Sequence, residues 1–185
     1  MILAGRPVAS TSRGRLVAGI GNVFLSDDGF GSEVARSLRS HALPDDVRVV
    51  DYGIRGTHLA YDLLDGWEAL ILVDAVPARG HPGRLHLLAV GSDDLAVGAI
   101  DPHSMDPATV LAGLASLGGT LPPTVVVGCE PGSLEDGIGL TPAVAAAVPA
   151  AVDAVERLLF DYPFPDHGEG KGVSAMGAPV REGGS

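Results

Sequence analysis

Short apolar runs alternate with longer stretches of helical period through the middle of the chain, and that alternation is its strongest structural signal. Five runs have strand character: 16–20 (LVAGI), 47–52 (VRVVDY), 69–73 (ALILV), 84–89 (RLHLLA) and 124–128 (TVVVG). Runs that are apolar on both faces mark strands covered on two sides, as in mainly parallel sheets. Between them, 29–41 places Phe30, Val34 and Leu38 on one helical face, and 57–64 supplies a short second helix. A third helix has a defined start, because Asp106 can cap free amides and Pro107 sits where a missing N–H is tolerated. Thr141 and Pro142 repeat that device ahead of an Ala/Val-rich helix with Val144, Val148, Val152 and Val155 along one stripe. The order of elements predicts a doubly wound, three-layer α/β/α domain on a mostly parallel five-stranded sheet. Ligands of such a domain gather outside the carboxyl ends of the strands.

The pattern fades at both ends. Segment 1–14 is aperiodic and 163–185 is rich in Gly and Pro, so both read as flexible extensions around a single domain at 15–162. Within 185 residues there are 26 Gly, 14 Pro and few aromatics, so the core must come from Val, Leu, Ile and Ala between tight turns. Acidic residues number 23 against 12 basic, and the interval 16–162 alone carries 20 acids and 7 bases. A field of that sign repels phosphate backbones and argues against a nucleic-acid partner. The single cysteine, Cys129, permits no internal disulfide and fits a reducing compartment. No secretory signal pattern or membrane-length apolar run is present, so the expected location is the cytoplasm, with no membrane partner.

Candidate chemistry lies at the ends of the predicted strands. The first runs into Gly19-Ile20-Gly21-Asn22 and then Asp27-Asp28-Gly29-Phe30-Gly31. A Gly-x-Gly after a first strand, with Asp51 ending the second, invites a dinucleotide reading. Against it, the third fingerprint position is Phe24, the loop is long, and two carboxylates crowd the helix start where a phosphate would sit. Either aspartate alone reads most simply as a helix cap. The third strand, however, ends in Asp74, and His103 shortly precedes the Asp106 cap. Asp28, Asp74 and His103 would then come from three loops at one rim, and two carboxylates with an imidazole suit an open site for a divalent transition metal. His58 reads as a helix residue, His86 as a strand-face residue and Cys129 as a small buried thiol. Arg55, between glycines, can reach a carboxylate or stay solvated. No Gly-x-Ser-x-Gly elbow and no His-Glu-x-x-His is present.

Taken together, GIGNVFLSDDGFGSEV (19–34), VVDYGIRGTHLAYDL (49–63), LILVDAV (70–76), the Pro-His of DPHSMDP (101–107) and VVVGCEPGSLEDGIGLTPAV (125–144) resemble the hydrogenase maturation proteases of nickel-iron hydrogenases. The resemblance covers nearly all of 16–160 in order. It implies an endopeptidase that removes a C-terminal extension from the hydrogenase large-subunit precursor after nickel insertion. It assigns metal binding to Asp28, Asp74 and His103, and a role in processing to Asp51. The nickel would be carried by the precursor, while another divalent ion such as zinc or cadmium could occupy the site in isolation.

Two departures stand out. The first acid is often Glu in the family and here is the shorter Asp28, and the Asp-Tyr-Gly-Ile-Arg-Gly loop is more basic, which makes Tyr52 and Arg55 candidates for partner selectivity. The alternatives are a non-enzymatic sensor or chaperone of metal loading, which would bind the precursor without shortening it, and a nucleotide-binding Rossmann-like protein.

Overall fold

The computed structural model describes residues 14–90 and 107–161. Both predicted extensions, apart from Gly14, lie outside the described residues, as does the proposed Asp106 cap. The strands are β1 (Arg15–Ile20), β2 (Val47–Gly53), β3 (Ala69–Ala75), β4 (Leu85–Val90) and β5 (Thr124–Cys129). The helices are α1 (Phe30–Leu38), α2 (Gly56–Leu63), α3 (Pro107–Ser116) and α4 (Pro142–Asp161). A 3-10 turn, Ser26–Gly29, takes the start of the helix expected at 29–41, so α1 opens one residue later and closes at Leu38.

The five strands form one sheet in the order β2-β1-β3-β5-β4. β1 pairs in parallel with β2 and β3, and β3 with β5, while β4 runs antiparallel to β5 at the edge. This is the predicted doubly wound, mostly parallel sheet. Strand alternation divides the core in two. Val17, Ile71, Val73, Val125 and Val127 pack against α1 and α4 through Phe30, Val34, Leu38, Val144, Val152 and Val155. On the opposite face Leu16, Ala18, Leu70, Leu72 and Val126 meet Leu59 and Leu63 of α2 and Val110 and Leu114 of α3. The edge strands are less covered: β2 is mostly half-buried, and in β4 Leu87 and Leu88 are exposed.

Two contacts position the rim that matters for function. The first turn of α1 presses onto the ends of β1 and β3 so closely that a Cβ on Gly31 would collide with the carbonyls of Ile20 and Val73. Only glycine fits there. On the other face, Gly113 of α3 lies beside Ala60, and Gly119, just beyond α3, lies against Leu64 at the end of α2. The two helices therefore run side by side in the same direction. Since α2 starts at the carboxyl end of β2, α3 also begins at that rim.

Candidate functional site

The chain moves from β1 to β2 on one side and, through β3, to the other, so the sheet's switch point lies between the carboxyl ends of β1 and β3. Asp28 and Asp74 are placed there. After β1 the chain turns back over its own strand end, where the Asp28 carbonyl lies so close to Gly21 that a Cβ would collide with it. The Asn22 amide donates to Asp28 Oδ2 at 2.6 Å. Asp28 is 5% exposed, and burial raises its carboxyl above the ordinary value against the lowering effect of that amide. Such a carboxylate gains from a nearby cation. Asp74 is 4% exposed, one residue beyond Val73, and its Oδ1 accepts the Ala75 amide at 2.8 Å.

Asp51 stands on the other side of β1. It is level with Gly19, which is also paired with Val73, so Asp51 faces α1 whereas Asp74 faces the α2–α3 layer. Its Oδ1 accepts from Ser32 Oγ at 2.8 Å and from the Gly53 amide at 3.0 Å. The three carboxylates thus share one rim but not one face of the sheet. His103 lies outside the described residues. Among the described residues, no three His, Cys, Asp or Glu side chains form a group able to hold a metal ion.

Several sequence expectations change here. Neither aspartate of the pair caps a helix through its side chain. Asp27 is fully buried and accepts four bonds from the β5–α4 loop: from the Gly132, Ser133 and Thr141 amides at 2.7, 2.9 and 2.6 Å, and from the Thr141 hydroxyl at 2.8 Å. Burial would raise this carboxyl, but those donors outweigh it and hold it below the ordinary value. The Thr141 hydroxyl is therefore spent on Asp27, and α4 begins with the Ala145 amide donating to the Thr141 carbonyl. Tyr52 is not a surface selectivity residue: it is 3% exposed and donates to Asp62 Oδ2 at 2.6 Å. Burial, with Asp62, pushes its phenol well above the ordinary value. Among the described residues Arg55 is bonded to no carboxylate; its guanidinium donates to the Tyr52 and Asp51 carbonyls and fixes the turn after β2. Cys129 is buried as expected, and burial, with nearby Asp27, pushes its thiol up to about 11, so it is no nucleophile at neutral pH.

Sequence reasoning passed over Glu130. It is 1% exposed, accepts the Arg79 and His81 amides at 2.9 and 3.0 Å, and meets His86 Nε2 at 2.8 Å. This carboxylate fastens the loop after β3, and with it the chain just beyond Asp74, to the end of β5. Burial opposes ionisation, but His86 and the two amides hold the group down to about 2. A carboxyl depressed in the folded state stabilises the fold fully above its ordinary value and loses that contribution as pH falls through the folded value. Glu130→Gln should therefore lower the thermal midpoint at neutral pH, and its deficit should shrink between about pH 4.5 and about pH 2. Thermal melts of both proteins across that window measure it.

The fold and this rim define a class: a doubly wound α/β domain with acidic side chains at the switch point. A family model described as HycI, hydrogenase maturation protease, matches residues 32–158. The hydrogenase 2 maturation protease of Escherichia coli is 34% identical over 143 residues, 76% of this chain and 87% of that one. Hydrogenase expression/formation protein HupD of Bradyrhizobium diazoefficiens is 32% identical over 180 residues, 95% of this chain and 90% of that one. Among solved structures, the hydrogenase maturating endopeptidase HybD of E. coli superposes with a TM-score of 0.66 at 34% identity, covering 76% of this chain and 88% of that one. The chain belongs to the hydrogenase maturation protease family, and it is a hydrolase, an endopeptidase acting in hydrogenase maturation. Among the described residues, no helix is long and apolar enough to cross a membrane.

Proposed function

We propose that this chain removes the C-terminal extension of a nickel-iron hydrogenase large-subunit precursor in the cytoplasm, and does so only after nickel has been inserted. The observation that carries this reading is that Asp28, bonded back to Asn22 after β1, and Asp74, near the end of the adjacent strand β3, are both buried at one rim of the sheet. His103 completes the set: it lies four residues before Pro107, and α3 begins at the same rim. The link from Pro107 to His103 is at most about 14 Å of extended chain.

Two carboxylates and an imidazole suit a divalent transition ion such as nickel, and zinc or cadmium in its absence. With three protein ligands, coordination is left open for groups of the precursor. Nickel is accordingly part of the substrate. Held by the precursor, it docks on Asp28, Asp74 and His103 and so places the scissile bond, and a precursor without nickel is left unaligned. The ion supplies Lewis-acid polarisation of the carbonyl or of the attacking water. Asp51 accepts the proton of that water. The bonds from Ser32 and Gly53 both fall on its Oδ1, which fixes the orientation of the carboxylate.

The test is to incubate the purified chain with nickel-loaded precursor and read the intact mass of the large subunit. The reading expects the loss of a C-terminal peptide. A stable complex with unchanged precursor mass would instead assign the chain as a non-catalytic sensor or chaperone of metal loading.

A further inference from the structure

Three large apolar side chains project from the loops beside Asp28: Phe24 is 65% exposed, Leu134 is 51% and Ile138 is 83%. A single exposed hydrophobic needs no explanation, but a group of them beside an active site marks an interaction surface. These loops are held to each other by backbone hydrogen bonds. Leu25 and Gly137 form a parallel bridge, the Gly137 amide donates to the Phe24 carbonyl at 2.9 Å, and the Ser26 amide donates to the Gly137 carbonyl at 3.0 Å. The Asp27 amide donates to the Ser133 carbonyl at 3.1 Å, next to Leu134. The apolar side chains are therefore presented on a preorganised frame, which lowers the ordering cost of docking.

The charge around them is one-sided. Glu135 and Asp136 lie between Leu134 and Ile138 and are both exposed. The guanidinium of the neighbouring turn, Arg55, is engaged with the carbonyls of Asp51 and Tyr52. A segment laid across this frame meets apolar surface interrupted by two carboxylates, so the complementary partner carries apolar side chains with Lys or Arg among them.

We infer that Phe24, Leu134 and Ile138, with Glu135 and Asp136, form the docking platform for a basic, apolar segment of the precursor polypeptide; this rests on the function proposed above. The platform is separate from the metal-docking carboxylates and supplies affinity for the polypeptide.

The experiment measures the dissociation constant for immobilised nickel-loaded large-subunit precursor by interferometry, with mass read in parallel. The proteins are the wild type, Phe24→Ser/Leu134→Ser/Ile138→Ser and Glu135→Lys/Asp136→Lys. Since every altered side chain is exposed, thermal midpoints should match the wild type. Both variants should bind about tenfold or more weakly, and the wild-type affinity should fall with added salt more steeply than that of the charge-reversed protein. Variants that bind as tightly as the wild type overturn the platform, as does a wild type that does not bind. A wild-type dimer that the triple substitution dissociates reassigns the surface to self-association and equally overturns it. If the wild type binds but never shortens the precursor, while the variants bind more weakly, the platform stands and the protease assignment falls.

Discussion

Replacing Asp74 with asparagine should reduce precursor trimming by at least about 100-fold while leaving the fold in place. Altering a partner that only orients a metal ligand already costs about 10- to 100-fold, and here a proposed ligand itself loses its charge. Asparagine keeps the volume of the side chain and an oxygen that can accept the Ala75 amide, now bonded to Asp74 Oδ1 at 2.8 Å. The thermal midpoint should therefore stay within about 5 °C of the wild type. Rates of trimming and a melt of the same preparation check both halves. A variant that trims at the wild-type rate removes Asp74 from the site.

Asp27→Ala should behave in the opposite sense, acting first on stability. It leaves three amides and the Thr141 hydroxyl without the carboxylate that now accepts all four. Hydrogen bonds to a charged group contribute about 1.5–3 kcal/mol each, but four donors on one carboxylate are not additive, and water can reach part of the vacated space. A loss of about 3 kcal/mol is the expected result, equivalent to roughly 10 °C in the midpoint for a domain of this size. Thr141→Val removes one of the four donors and should cost about 1 kcal/mol. Equilibrium denaturation of the two variants tests the ranking. Equal losses would mean that the Thr141 hydroxyl, rather than the carboxylate as a whole, supports the loop.

The contrast between neighbouring residues shows where sequence reading reached its limit. β1, β3 and β5 were legible because they are covered on both faces and therefore read as unbroken apolar runs. The helices followed from the spacing of residues such as Phe30, Val34 and Leu38. β4 runs antiparallel because only residues 76–84, with no helix, lead into it from β3, too short a link for a parallel crossover. Asp27 and Asp28 are indistinguishable in the sequence as two acids before a helix. Within the 3-10 turn the fold sends them apart, with Asp27 bonded to the distant β5–α4 loop and Asp28 bonded back to Asn22.

Glu130 was unreadable for a similar reason. Its partner His86 lies 44 residues away, and the two are brought together only when β4 folds back along β5, where His86 is paired with Gly128. Tyr52 misled in the opposite direction. A tyrosine at a strand end, beside a glycine-bounded loop, looks exposed, yet β2 carries it into the core and Asp62 of α2 takes its hydroxyl. Asp74 closes the apolar run of β3, whereas Asp28 follows β1 by eight residues, and because β1 and β3 are neighbours in the sheet both fall at the same rim.

The account rests on nickel acting as the signal that licenses cleavage, and one measurement addresses it directly. Large-subunit precursor is prepared with and without nickel, each form is incubated with the wild-type chain, and intact masses are followed over time. The account predicts C-terminal shortening of the loaded precursor and an unchanged mass for the metal-free one. Shortening of both forms at the same rate would contradict it.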